Sequence, residues 1–197
     1  MWYVTYTQTV KFICFTKLYH MLAMFNLYNI PLYSQIDPRW RNIALGESRT
    51  LTLGSHGCVV CCLAMMLSGV GYNVDPIKVN DDMRKSRAFL PGTGRAIWAR
   101  VANAYPLIKY SYQVIYDKRE ADIKLISELT NSLPVLVELL LNNREPHWVL
   151  AVRGDVNGLL VHDPLFPPAR QKRDYLHVLR PNTRIRRIVV YDVVRAE

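Results

Sequence analysis

Three side chains that together could carry out nucleophilic catalysis lie far apart in this sequence: Cys58, His147 and Asp163. Cys58 follows Gly57 and opens an apolar run to Leu67, which predicts a buried helix that starts at the cysteine. The unpaired N–H groups in the first turn of a helix carry partial positive charge, and this favours the thiolate, the nucleophilic form of cysteine. The sequence therefore predicts a thiol nucleophile at Cys58 rather than an inert core cysteine.

A base and an acid for this thiol are predicted on a hairpin. His147 stands at the start of one predicted strand and Asp163 at the end of the next, and Asn157-Gly158 is typical of the turn between them. Side chains alternate along a strand, so two odd-numbered residues share a face if the register permits. His147 could then take the thiol proton. His162 is a rival base, but as the neighbour of Asp163 it is expected on the opposite face.

The remaining cysteines suggest other chemistries, which the pattern supports less well. Four cysteines occur, and Cys58, Cys61 and Cys62 fall on one predicted helix, which favours free thiols over a disulfide framework. Cys58 and Cys61 have redox-motif spacing, but the βαβ unit of a thioredoxin-like fold is not predicted. One close cysteine pair without a second falls short of a zinc site. We expect no metal and no organic cofactor, and packing roles for Cys61 and Cys62.

Composition indicates a globular chain with a basic surface. Of its 197 residues, 50% are hydrophobic and 21% are charged, which fits one domain with a substantial core. The net charge of +9 would suit an anionic partner such as nucleic acid, an anionic membrane or a cell wall. No zinc-finger spacing, phosphate loop or aromatic RNA-binding signature accompanies the charge. We therefore favour a solvated basic face over nucleic-acid binding.

Residues 1–26 differ in character from the rest of the chain. The segment is apolar and aromatic, but two lysines and a histidine interrupt it, so no uncharged run reaches the roughly 20 residues of a bilayer span. No apolar signal region with a small-residue cleavage site is evident. We favour a packing arm. The alternatives are a membrane-surface helix and an extension upstream of a start at Met21 or Met24. The main domain is predicted over residues 27–197, in a cytoplasmic or virion-associated protein.

Predicted helices dominate the first half of the chain and predicted strands the second. A polar helix is expected after the Asp75-Pro76 cap, and another from Thr93-Gly94. Strand-like segments cover residues 107–116, 135–141, 147–153, 159–162 and 185–194, with a helix over 121–129. This predicts an α+β fold, in which a helical N-terminal lobe with a buried central helix starting at Cys58 packs on a C-terminal antiparallel sheet.

Several motifs follow one another in the order found in a known family. They are residues 31–40 (PLYSQIDPRW), 57–58 (GC), 63–65 (LAM), 133–135 (LPV), 147–149 (HWV) and 162–164 (HDP). With these motifs, the chain resembles the bacteriocin-processing-peptidase-like domain, a branch of the papain-like cysteine peptidases. The resemblance covers residues 27–194 and implies a papain-like arrangement of helical lobe and sheet.

The resemblance also implies a role for individual residues. Cys58 matches the nucleophile, His147 the general base and Asp163 the residue that orients the imidazole. Gln35 matches the side-chain donor of the oxyanion hole, with the backbone N–H of Cys58 as the second donor. The chain departs from the family directly after the cysteine, where residues 59–61 (VVC) replace a small residue, a proline and a hydroxyl residue.

These observations predict a cysteine peptidase-like hydrolase that cleaves a peptide or amide bond through a Cys58-His147-Asp163 triad. Family members act on leader peptides among other substrates, and others are stand-alone domains in bacteria and their phages. Two alternatives stay open: a bacterial or phage cell-wall hydrolase or virion component on the same fold, and a catalytically inactive binding module. The expected partner is a peptide or peptidoglycan, and the sequence leaves the oligomeric state open.

Overall fold

The computed structural model describes residues 30–116, 120–142, 144–155, 158–166, 173–176 and 184–194. The predicted arm over residues 1–26 and the Asn157 position of the predicted turn lie outside these residues. Among the helices of the described residues, none is long and apolar enough to cross a membrane.

The helices and strands follow the predicted division of the chain. The helices are α1 (Leu53–His56), α2 (Cys58–Gly69), α3 (Pro76–Lys85), α4 (Trp98–Val101), a 3-10 turn (Ala102–Ala104) and α5 (Ile123–Leu129). The strands are β1 (Ile108–Ile115), β2 (Val135–Leu141), β3 (Glu145–Asp155), β4 (Gly158–His162), β5 (Arg173–Leu176) and β6 (Arg184–Val193). The predicted α+β class is confirmed.

The strands form one sheet of six, in the order β1-β6-β2-β3-β4-β5, with every pair antiparallel. Strands β2 to β5 are consecutive neighbours, whereas β6 inserts between β1 and β2. In the β3–β4 pair, Leu150 lies opposite His162 and Ala151 opposite Val161. This register brings the start of β3 near the end of β4, where His147 and Asp163 are found.

Helix α2 is buried almost all round because it packs against β3 and β2 of the sheet and against α3. Its side chains from Val60 to Leu67 are almost fully inaccessible to solvent. One face of the sheet joins this core through Leu136, Leu150 and Val189. Burial of each large apolar side chain contributes about 1.5–3 kcal/mol, so the helix that begins at Cys58 is held firmly against β3.

The opposite face of the sheet has its own core. Val137, Val149, Val161 and Ile188 pack there with Ile126 of α5. Both faces of the central strands are therefore covered, and this explains why β2 is apolar along most of its length instead of alternating. The sheet is a rigid platform for residues at the ends of its strands.

Candidate active site

Cys58 is the first residue of α2, directly after the short helix α1. Gly57 ends α1 and precedes α2; its N–H donates to the Leu53 carbonyl at 2.8 Å, and its own carbonyl accepts the Cys61 N–H at 2.9 Å. Any Cβ at position 57 would collide with the Leu53 carbonyl, so this turn requires glycine. Among the described residues no side chain caps the start of α2. The half-buried free thiol of Cys58 therefore lies at the start of a helix, beside backbone N–H groups that have no partner within the helix.

His147 and Asp163 form a short, largely buried contact. Nε2 of His147 lies 2.7 Å from Oδ1 of Asp163. The same carboxylate oxygen accepts the backbone N–H of Leu165 at 2.9 Å, which fixes the carboxylate within its own turn. The Cys58 thiol lies near the same ring and is among the groups that raise the pKa of His147. Since Nε2 faces the carboxylate, Nδ1 is the ring nitrogen left for the thiol.

The surroundings of His147 favour its protonated form. Burial disfavours the imidazolium, but the hydrogen bonds to Asp163 and Cys58 and the negative charges of both partners outweigh burial and raise the pKa of His147 to about 9. At neutral pH the imidazolium is thus held between two groups that can carry negative charge. Such a histidine can balance a thiolate and later donate a proton.

Gln35 lies between the segment that carries Cys58 and the segment that carries Asp163. Its side-chain Nε2 donates to the carbonyl of Gly54 in α1 at 2.9 Å, and its backbone N–H donates to the carbonyl of Pro164 at 2.9 Å. The side chain is buried, and its Oε1 has no hydrogen-bond partner among the described residues. Nε2 carries two hydrogens, and the bond to Gly54 uses one of them.

A compact turn holds Gln35 in place. The indole N–H of Trp40 donates to the carbonyl of Ser34 at 2.7 Å, and the N–H of Asp37 donates to the same oxygen at 3.2 Å. Arg39 pairs with the Asp37 carboxylate at 2.8 Å and covers the Trp40 ring. The sequence motif over residues 31–40 therefore forms a turn that is held by hydrogen bonds and an ion pair within it.

Cys61 and Cys62 lie in the core, as expected for packing residues. Burial, followed by the proximity of Cys58, raises the pKa of both thiols well above the ordinary range, so they stay protonated. The thiol of Cys62 donates to the carbonyl of Trp148 at 3.5 Å and so fastens α2 to β3 beside His147. These two cysteines were predicted as core residues, but the anchoring bond of Cys62 had no signal in the sequence.

The alternatives to this arrangement are the rival base His162 and a metal centre. His162 is buried in β4 opposite Leu150, whereas His147 bonds to Asp163 and lies near Cys58. Within the described part of the chain, no group of three or more histidine, cysteine, aspartate or glutamate side chains is arranged to hold a metal ion.

No protein-family model matches the sequence. No curated protein matches it either. Among solved structures, the chain is similar to the crystal structure of a candidate C39-like peptidase from Bacillus anthracis, with a TM-score of 0.44 and 14% sequence identity. That match covers 88% of this chain and 98% of the other. The catalytic roles proposed below rest on the contacts within this chain.

Proposed function

We propose that this protein is a papain-like cysteine hydrolase that cleaves an amide bond, with the catalytic domain over residues 27–197. The observation that carries the proposal is the position of one buried imidazole, which bonds to the Asp163 carboxylate through Nε2 and lies near the Cys58 thiol as well. A nucleophile, a base and a residue that orients the base are the three parts that thiol hydrolysis needs.

The reaction would begin with the thiolate of Cys58 attacking the substrate carbonyl carbon. The tetrahedral intermediate collapses when the His147 imidazolium gives its proton to the leaving amine, which leaves a thioester on Cys58. His147 then takes a proton from water, and the resulting hydroxide attacks the thioester. The second tetrahedral intermediate collapses, the carboxylic acid product departs, and the Cys58 thiolate and the His147 imidazolium are restored. Asp163 keeps the imidazole in place throughout.

The negative oxygen of the tetrahedral intermediate would be held by two N–H donors. The free N–H of the Gln35 side chain is one, and the backbone N–H of Cys58 is the other. The unpaired, buried Oε1 supports this role, because an unsatisfied buried acceptor costs about 1–3 kcal/mol and indicates that the amide is not placed for stability. One such donor contributes roughly 10²- to 10³-fold to turnover.

The substrate is a peptide or the peptide part of peptidoglycan. The net charge of +9 favours an anionic target, and a bacterial cell wall is such a target. Cell-wall hydrolysis is therefore the second candidate function on the same site. A protein without hydrolytic activity, which uses the cleft only for binding, is the third.

Two assays on one set of variants separate these functions. The wild type, Cys58→Ala and the matched control Cys61→Ser are incubated with a peptide library and with purified peptidoglycan. We expect cleavage by the wild type and by Cys61→Ser, and none by Cys58→Ala. Cleavage of peptidoglycan alone selects the wall hydrolase. No cleavage of either substrate, together with ordinary thiol reactivity at Cys58, would reject both enzymes.

A further inference from the structure

The carbonyl of Pro164 accepts two hydrogen bonds from the turn that carries Gln35. The Ser34 hydroxyl donates to it at 3.3 Å and the Gln35 backbone N–H at 2.9 Å. Ser34 is fully buried, and it lies 130 residues from Pro164 in sequence. The sequence motifs assign no role to Ser34, although its neighbour Gln35 has one.

These bonds join the two segments that carry opposite halves of the candidate site. Pro164 follows Asp163, and proline has no backbone N–H, so its carbonyl is the only backbone group at that position that can anchor the segment. Ser34 is itself anchored, because its carbonyl accepts the indole N–H of Trp40 at 2.7 Å. A shift at Pro164 would therefore move Asp163 relative to His147.

We propose that Ser34 is a positioning residue, which sets the His147–Asp163 contact through the carbonyl of Pro164. The role is distinct from that of Gln35, because the Ser34 hydroxyl bonds to the acid-bearing segment and to no reacting atom. The inference rests on the proposed function only where hydrolysis is measured. Its main readout is the reactivity of the Cys58 thiol, which needs no known substrate.

The test is the pH dependence of Cys58 alkylation by iodoacetamide in the wild type, Ser34→Ala and Asp163→Asn. A looser Asp163 contact stabilises the His147 imidazolium less, so the thiolate loses part of its counter-charge and the alkylation midpoint moves to higher pH. We expect a rise of roughly half a pH unit or more in Ser34→Ala and a larger rise in Asp163→Asn. The rate at high pH, where the thiol is ionised in every variant, should stay unchanged.

Ser48→Ala is the matched control for a general loss of stability. Ser48 is also buried, and its hydroxyl accepts the backbone N–H groups of Thr50 and Leu51 at 3.3 and 3.0 Å. Both alanine variants should unfold at lower temperature, but only Ser34→Ala should shift the alkylation midpoint. Equal midpoints in Ser34→Ala and the wild type would overturn the proposal.

A second pair of variants keeps the test decisive if Ser34→Ala does not fold. Ser34→Thr and Ser34→Val have nearly the same volume and differ in the hydroxyl alone. We expect Ser34→Thr to keep the wild-type midpoint and Ser34→Val to raise it. Equal midpoints in the two variants would show that the hydroxyl does not act on the site.

Hydrolysis gives an independent comparison. With any substrate that the wild type cleaves, Ser34→Ala should lower kcat by roughly tenfold to a hundredfold, because misplaced catalytic groups lose rate steeply. If no substrate is cleaved by the wild type, the proposed hydrolase fails while the alkylation result still decides the role of Ser34.

Discussion

The His147 ring and the Asp163 carboxylate are locked to each other, with 2.7 Å between Nε2 and Oδ1. The carboxylate cannot turn away freely, because Oδ1 also accepts the Leu165 N–H. The imidazole therefore has a fixed orientation and a fixed counter-charge on the side away from Cys58. Both properties lead to measurable consequences for the thiol, for turnover and for stability.

Cys58 should be the only fast-reacting thiol among the three cysteines of α2. Cys61 and Cys62 are buried and protonated, whereas Cys58 is half-exposed at a helix start beside an imidazolium. Peptide mapping after brief treatment with iodoacetamide near neutral pH should show modification at position 58 before the other two. Cys58→Ala should abolish hydrolysis, and Cys61→Ser should retain most of it at some cost in stability.

The same experiment tests the redox alternative. Loss of activity in Cys61→Ser as complete as that in Cys58→Ala would favour a dithiol mechanism over hydrolysis. A folded Cys61→Ser protein with normal labelling at Cys58 serves as the control for this comparison.

Hydrolysis should decline at high pH with a midpoint near the raised pKa of His147, about 9. Above that pH the imidazolium loses the proton that it must give to the leaving amine. In Asp163→Asn the negative charge is gone, so the pKa of His147 falls and the decline moves to lower pH. The measurement is kcat/KM against pH for both proteins. A high-pH limb that stays in place in Asp163→Asn would contradict the assigned contact.

Gln35→Ala should slow hydrolysis by about 10²-fold or more, a loss of roughly 3 kcal/mol of transition-state stabilisation. Its proposed bond forms only to the oxyanion, which does not exist when iodoacetamide alkylates the thiol. The alkylation rate of Cys58 should therefore barely change in the same variant. Equal losses in both rates would mean that Gln35 only holds the surrounding turn together.

The stability of the fold should depend on the protonation of His147. Its pKa is about 9 in the folded protein and about 6.5 in an unfolded chain, so the folded state binds the proton more tightly. This contribution to the free energy of unfolding is complete below about pH 6.5 and is lost as the pH rises through about 9. Urea unfolding of His147→Gln should lack this dependence, whereas the exposed-site control His56→Ala should retain it.

The predicted start of α3 is confirmed by its cap. Asp75 accepts the Lys78 N–H at 2.8 Å and α3 begins at Pro76, as the motif predicts. The helix expected from Thr93-Gly94 begins only at Trp98. Thr93 instead donates its hydroxyl to the Leu90 carbonyl in a turn, so a hydroxyl that resembled a cap serves a loop.

Strand β5 was not predicted, because it is only four residues long, Arg173–Leu176, and two of the four are charged. Among the described strands it pairs with β4 alone, at the edge of the sheet. Edge strands of this kind commonly carry charge and lack a continuous apolar pattern. This strand forms because it pairs with β4, and such pairing leaves no pattern in the local sequence.

The residues of the candidate site differ in how clearly the sequence identifies them. Cys58 and His147 could be selected from chemistry and position, and Asp163 from the hairpin. No local pattern identifies Gln35, and the family resemblance alone implies its role. Ser34 was missed, because it donates to the Pro164 carbonyl, which is distant in sequence. Every residue has a backbone carbonyl, so nothing in the sequence marks this one as the acceptor.

The placement of β6 between β1 and β2 has a consequence for protein synthesis. Strands β2 to β5 can pair in the order in which they leave the ribosome, and this joins His147 to Asp163 early. The core around α2 also contains Val189 and Tyr191 of β6, which is the last of the described strands in the chain. We therefore expect the core around α2 to be completed after His147 and Asp163 have met, once β6 has been made.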